Sequence, residues 1–208
     1  MFEELRNAAI IPVLTIEDSD QAARLAKVLY ENGLTCAEVT FRTPAAKRSI
    51  EIMKKTCPDM TILAGTVLNA QQAKDAMKAG ACAVVSPGFN PRTVRYCLNK
   101  EIPIIPGVAT PSEIEEALNY DLRVLKFFPA KLNGGVKMLE ALHGPYADVC
   151  FMPTGGINPE NAEDYLAKDY VWCLGGTWIA TKDLINAGDF ETIAKLARQA
   201  CQIAKKYR

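Results

Sequence analysis

The run Val124-Leu125-Lys126-Phe127-Phe128-Pro129-Ala130 sets a lysine inside the pattern of a buried strand. On a strand, Val124, Lys126 and Phe128 share one face, and Leu125 and Phe127 the other; both faces are apolar apart from the lysine. An ammonium buried without a partner is costly, so such a lysine loses its proton or finds a specific counter-charge. A lysine that snorkels past an edge strand is the plainer alternative. Apolar flanks on both sides favour an interior position, where a lysine can attack a carbonyl and form a Schiff base. A second polar set lies in Cys36-Ala37-Glu38-Val39-Thr40-Phe41-Arg42-Thr43. Glu38, Thr40 and Arg42 are two apart and share one strand face, while Ala37, Val39 and Phe41 share the other. If the apolar face meets helices, Glu38 and Arg42 point inward. A purely structural Glu38–Arg42 pair is the competing reading.

The elements that must position these side chains are short and regular. Apolar runs bounded by Gly, Pro, Asn or Asp predict strands at 10–14, 36–40, 61–64, 82–86, 102–105, 124–128, 149–152 and 171–174. Amphipathic stretches such as 19–32, 43–55, 69–79, 110–119, 158–168 and 190–205 predict helices, with a further short one before the first strand. Ser19, Thr43, Asn69, Thr110 and Asn158 are candidate N-caps, and Gly33 and Gly80 candidate C-terminal stops. Eight strand–helix units in a chain of 208 residues predict a single-domain (β/α)₈ TIM barrel over residues 1–208. A doubly wound open sheet is the alternative.

In such a barrel the site lies at the C-terminal ends of the strands. There the sequence offers Gly65-Thr66, Ser86-Pro87-Gly88, Pro106-Gly107, Pro153-Thr154-Gly155-Gly156 and Leu174-Gly175-Gly176-Thr177. Thr66 places a hydroxyl at the mouth, and the two Pro-Gly pairs read as tight loops leaving room for a ligand. The double glycines after the last two predicted strands free backbone N–H groups for an oxyanion, with a helix N-terminus after each adding its positive end. Ordinary glycine turns are the alternative. Lys131, Asn133, Gly134 and Gly135 form the loop above Lys126, and His143 sits at a helix end as a cap.

Composition narrows the classes. Equal counts of 24 basic and 24 acidic residues give no drive toward nucleic acid or an anionic membrane. No apolar run has the length of a membrane span, and Met1-Phe2-Glu3-Glu4-Leu5-Arg6 lacks a signal peptide's basic head and apolar core, so a cytoplasmic location is expected. Seven cysteines without a C-x-x-C pair fit a reducing compartment. The single histidine, His143, excludes a three-histidine zinc site, and neither metal nor cofactor is expected.

Glu38-Val39-Thr40-Phe41-Arg42-Thr43, Gly65-Thr66-Val67, Ser86-Pro87-Gly88, Pro106-Gly107, Lys126-Phe127-Phe128-Pro129-Ala130, Pro153-Thr154-Gly155-Gly156 and Gly175-Gly176-Thr177-Trp178 together resemble the 2-keto-3-deoxy-6-phosphogluconate (KDPG) aldolases, which also act on 4-hydroxy-2-oxoglutarate. The resemblance runs over nearly the whole chain. It implies a (β/α)₈ barrel, usually a homotrimer, acting on a 2-keto-4-hydroxy acid and releasing pyruvate. By motif, Lys126 resembles the Schiff-base lysine and Glu38 the general acid/base. Arg42 and Thr66 resemble contacts to the pyruvate end, Pro87 and Phe128 pocket walls, and Thr154, Gly155, Gly156, Gly176 and Thr177 the remaining substrate contacts, phosphate included. Two departures stand out: Thr177 replaces a serine common among relatives, and Leu14-Thr15-Ile16 lacks an arginine that some relatives use to hold phosphate. The choice between phosphorylated and unphosphorylated substrates therefore stays open. Rival readings are the aldolase for the galactonate epimer, a phosphosugar isomerase or epimerase, and a non-catalytic barrel that binds a phosphorylated ligand.

Overall fold

The apolar runs become short parallel strands in the computed structural model, which describes residues 2–207. Met1, where the reading of the N-terminus begins, lies outside the described residues. The strands are β1 (Ile10–Leu14), β2 (Cys36–Thr40), β3 (Thr61–Gly65), β4 (Ala83–Val85), β5 (Ile104–Ile105), β6 (Gly107–Val108), β7 (Val124–Phe127), β8 (Cys150–Pro153) and β9 (Leu174–Gly176). Between and around them run α1 (Phe2–Ala8), α2 (Ala22–Glu31), α3 (Ala46–Thr56), α4 (Ala70–Lys78), α5 (Pro91–Asn99), α6 (Pro111–Leu118), α7 (Gly135–His143), α8 (Ala162–Leu166), α9 (Lys182–Ala187) and α10 (Phe190–Ala204).

The result is a single-domain α/β fold with a curled parallel sheet. Strands pair in the order β5-β4-β3-β2-β1-β9 in one sheet and β6-β7-β8 in another. Isolated bridges Phe151–Val171 and Thr154–Gly175 run β8 alongside the β9 segment. The run expected as a strand at 102–105 is shortened to β5 at 104–105, and a further short strand, β6, follows Pro106; β5 pairs with β4, whereas β6 pairs with β7. Proline has no N–H to give a neighbour, but its carbonyl still accepts from the Lys126 amide at 2.9 Å. Pro106-Gly107 is therefore a change of strand partner, not the tight mouth loop that its composition suggested.

Side chains sort by the two faces of the strands. Ala37, Val39, Ile62, Ala64, Leu125 and Phe127 pack outward in the large cluster with the helices. Ile11, Cys36, Leu63, Ala83, Val85, Ile105, Met152 and Cys173 form a separate interior cluster, joined by Leu5 of α1 and contacted by Val124. This second cluster is the apolar floor on which the polar residues of β2 and β7 stand.

Helix caps follow the expectation in part. Asn69 accepts from the Gln72 amide, and Thr110 forms a full capping box with Glu113. Thr43 does not cap α3; its hydroxyl donates to the Ile16 carbonyl and ties the loop after β2 to the end of β1. Asp18, not Ser19, caps the short 3₁₀ turn before α2, and Asn158 exchanges hydrogen bonds with Asn161 ahead of α8. None of the seven cysteines forms a disulfide among the described residues; burial pushes the thiols of Cys36 and Cys97 up to about 11, which leaves them protonated and unreactive.

Candidate active site

Strand alternation alone turns Glu38 of β2 and Lys126 of β7 toward the interior, and there they meet. The Lys126 Nζ donates to Glu38 Oε1 at 3.2 Å, with side-chain exposures of 4% and 0%. The lysine has thus taken a specific counter-charge. The expected Glu38–Arg42 juxtaposition does not occur: β2 ends at Thr40, and Arg42 lies exposed in the turn that follows. Glu38 Oε2 is buried and has no hydrogen-bond partner among the described residues. A buried carboxylate oxygen is costly without a polar partner, so this one calls for a water or a substrate group beside it. The ring of Phe128, half-buried one residue beyond β7, stands 5.3 Å from Nζ and closes another side of the amine.

Gly65 makes room for this arrangement. A Cβ there would lie 2.0 Å from Glu38 Oε1 and 2.6 Å from its Cδ. The sequence suggests a glycine that admits backbone; what it admits is the carboxylate. Gly65→Ala is therefore expected to drive the Glu38 side chain from its place and to lower kcat about 100-fold or more, the scale of a misplaced reacting group. Turnover within twofold of wild type, measured on folded protein, would show that Glu38 need not occupy this position. The next residue, Thr66, holds φ at +54°, a region β-branched residues rarely adopt. Such strain persists where the surrounding structure dictates it, and it holds Thr66, half-buried, just beyond the Gly65 that packs on Glu38.

Above the pair, Thr40 is buried and its hydroxyl donates to the Leu14 carbonyl at 2.8 Å. Its oxygen must then accept from Thr15, 3.1 Å away. This hydroxyl relay was not legible beforehand, because it depends on the β1–β2 register, in which Val13 faces Glu38 and Leu14 faces Val39. Pro87 is half-buried in the turn after β4, and its carbonyl packs against Gly107, which faces Lys126 in the ladder.

The β8 and β9 ends come together through the Thr154–Gly175 bridge, which sets the two double-glycine turns side by side. Thr154 is buried and donates weakly to the Met152 carbonyl. Gly155 is half-buried, while Gly156 and Thr177 are exposed at the mouth. Gly176 differs: it is buried within β9, and the Trp178 ring lies over it. Helix N-termini do not follow directly, contrary to the expectation. α8 begins at Ala162, α9 at Lys182, and neither exceeds six residues, so anion binding here rests on loop amides and side chains. His143 ends α7, stacked on Tyr170 at 3.9 Å between ring centroids and away from the Lys126 strand.

Among the described residues, no group of three or more His, Cys, Asp or Glu side chains converges as metal ligands would. A groove of about 570 Å³ lies at the opposite, N-terminal end, between α1, the end of α10 and the starts of β2 and β3; it includes none of the residues above. Its Glu4, Asp59 and Lys205 are ordinary surface charges, and the buried Lys126–Glu38 pair is the better guide to chemistry.

A family model described as KDPG and KHG aldolase matches residues 1–196. A 2-dehydro-3-deoxy-phosphogluconate aldolase of Treponema pallidum is 47% identical over 203 residues, covering 98% of this chain and 97% of the relative. The KHG/KDPG aldolase of Escherichia coli is 42% identical over 201 residues, covering 97% and 94%. Among solved structures, the KDPG aldolase of Legionella pneumophila, with pyruvate captured at low pH as a covalent carbinolamine intermediate, superposes with a TM-score of 0.92 at 39% identity, covering 96% of this chain and 97% of that one.

Proposed function

The chain belongs to the KDPG and KHG aldolase family, and we propose that it is a class I aldolase working through a Schiff base on Lys126. Its reactions are cleavage of 2-keto-3-deoxy-6-phosphogluconate to pyruvate and glyceraldehyde 3-phosphate, and of 4-hydroxy-2-oxoglutarate to pyruvate and glyoxylate. The observation that carries this reading is the buried Lys126–Glu38 pair, 3.2 Å from Nζ to Oε1. Proton transfer from Nζ to Oε1 across the existing hydrogen bond gives a neutral amine and a neutral acid, a pair that pays less desolvation than two ions. The amine adds to the C2 ketone, and the carbinolamine that forms loses water with a proton from Glu38. The resulting iminium draws electrons from the C3–C4 bond. As that bond breaks, the C4 hydroxyl proton passes to Glu38, directly or through water, and an aldehyde leaves. Glu38 then protonates C3 of the enamine, and hydrolysis of the iminium frees pyruvate and Lys126. An isomerase or a passive binding barrel would have no use for a lysine in this position.

Arg42 and Thr66 at the rim take the substrate carboxylate, since a guanidinium matches carboxylate geometry. Pro87, Phe128 and Thr154 wall the pocket, with Gly155, Gly156, Gly176 and Thr177 at its phosphate end. We read the two sheets as arcs of one closed (β/α)₈ barrel over residues 1–208. The β8–β9 bridges and the single residue between β5 and β6 support that closure. Among the described residues no helix is long and apolar enough to cross a membrane. A cytoplasmic homotrimer is the form expected from the family resemblance.

Pyruvate release from both substrates tests the activity, and Thr177→Asp tests the phosphate end. A carboxylate at the exposed rim adds like-charge repulsion of about 1–2 kcal/mol. KM for the phosphorylated substrate should rise accordingly, while KM for 4-hydroxy-2-oxoglutarate moves little. Equal rises for both would place the phosphate elsewhere.

A further inference from the structure

Lys131 follows the β7 strand by four residues and runs beside the loop after β8. Its amide donates to the Gly155 carbonyl at 3.0 Å, and the Ala130 amide to the Thr154 carbonyl at 2.8 Å. The side chain continues along the same loop. A Cβ built on Gly156 would lie 2.5 Å from Lys131 Cβ, 3.3 Å from Cγ and 3.0 Å from Cδ. Gly156 therefore has no side chain because the lysine stem fills that space, and its φ of +75° lies in the left-handed region that favours glycine. The ammonium is only two bonds beyond the part of the stem that touches Gly156. Lys131 is exposed and forms no ion pair among the described residues.

The neighbouring groups supply no charge of this kind. The mouth end of β1 carries Thr15, whose hydroxyl proton is committed to Thr40. Helix N-termini are absent from the two double-glycine turns. Loop amides and the Thr177 hydroxyl can orient a phosphate but do not neutralise it. A dianion held only by neutral donors attracts a nearby cation strongly, and a lysine acts on phosphate as a point charge.

We propose that Lys131 is a specificity-determining residue that selects phosphorylated substrates, its ammonium pairing with the phosphate held over Gly155 and Gly156. This rests on the phosphate end being where the preceding reading puts it. Because the stem is already packed against Gly156, little side-chain freedom is lost when the phosphate binds.

The test runs the reaction toward condensation, with pyruvate and either D-glyceraldehyde 3-phosphate or D-glyceraldehyde, two acceptors that differ only in the phosphate. Lys131→Met keeps an apolar stem beside Gly156 and removes the charge; Lys131→Arg keeps the charge. For Lys131→Met, kcat/KM with the phosphorylated acceptor should fall roughly 3- to 30-fold through KM, between the values for an exposed ion pair and a charge-assisted hydrogen bond. With glyceraldehyde it should stay within twofold, and Lys131→Arg should retain most of the preference. The salt dependence of KM for the phosphorylated acceptor should also flatten in Lys131→Met. Equal losses with both acceptors would make Lys131 a structural prop, and no loss with either would remove it from the site; either result overturns the proposal. Thr177→Asp, assayed alongside, separates the two failures. If it discriminates between acceptors while Lys131→Met does not, only the role of Lys131 falls. If neither variant discriminates, the phosphate lies elsewhere and both readings fall.

Discussion

Lys126→Met is expected to reduce turnover by roughly 10⁴–10⁶-fold, the scale on which loss of a covalent nucleophile acts, with no residual pyruvate adduct. Methionine has the length and apolar character to fill the space beside Phe128, but it cannot add to a ketone. The wild-type protein, reduced with borohydride in the presence of pyruvate, should lose activity and carry one pyruvate-derived group, mapped to Lys126 by peptide mass analysis. Lys131 and Lys137 lie nearby in sequence and serve as internal controls. Label on either of them, or its absence from Lys126, would sink the assignment. Stability changes as well, because the variant leaves Glu38 buried without its cation. Breaking a buried pair from one side costs about 3–5 kcal/mol unless the survivor takes a proton. Turnover must therefore be normalised to folded protein.

The lysine was legible in sequence because its argument is local. An apolar strand with a lysine on one face needs only the twofold side-chain period to place that lysine inside. The same period placed Glu38 correctly and failed two residues later. Alternation holds only while the chain stays extended, and after Thr40 it turns, which carries Arg42 out to solvent. The resemblance set Glu38 in one site with Lys126, but the hydrogen bond itself spans 88 residues and exists only once the sheet has curled. Thr43 shows the matching limit for caps. Its type and position suit a helix start, but the Ile16 carbonyl from another loop claims its hydroxyl. Asn69 and Thr110, with no such competitor, cap as their spacing predicts. Pro106 could be read as a missing donor, yet only register reveals that the chain changes partners there.

The site divides its work between a dry interior and a wet rim. Leu5, Ile11, Leu63, Val85 and Met152 exclude water beneath Glu38 and Lys126, so the charges there interact through a medium of low polarity. At the rim, Arg42, Gly156, Thr177 and Lys131 are exposed and face screened water. Changes in the interior should therefore appear in kcat, and changes at the rim in KM and in the choice of substrate. This division gives the expected pattern for Glu38 its diagnostic value.

Glu38→Gln is expected to lower kcat by about 10²–10⁴-fold, the usual contribution of a positioned acid–base group. Glutamine matches the size of glutamate, and its oxygen can still accept from Lys126 Nζ at the place of Oε1. What it lacks is the second carboxylate oxygen, the buried Oε2 that has no partner among the described residues and can take the C4 hydroxyl proton. KM should change little under the proposal that Arg42 and Thr66, not Glu38, hold the substrate carboxylate. Exchange of pyruvate methyl protons with solvent should slow in parallel with cleavage, since one base serves both C3 and the C4 hydroxyl. Borohydride trapping should be slower yet still complete at Lys126. Melting temperature does not decide the role of Glu38, because loss of the counter-charge to Lys126 destabilises the fold whether or not the carboxylate moves protons. The deciding pair of measurements is turnover and methyl-proton exchange per folded molecule. If both stay near wild type while stability drops, Glu38 only holds Lys126 in place, and a different group carries the protons.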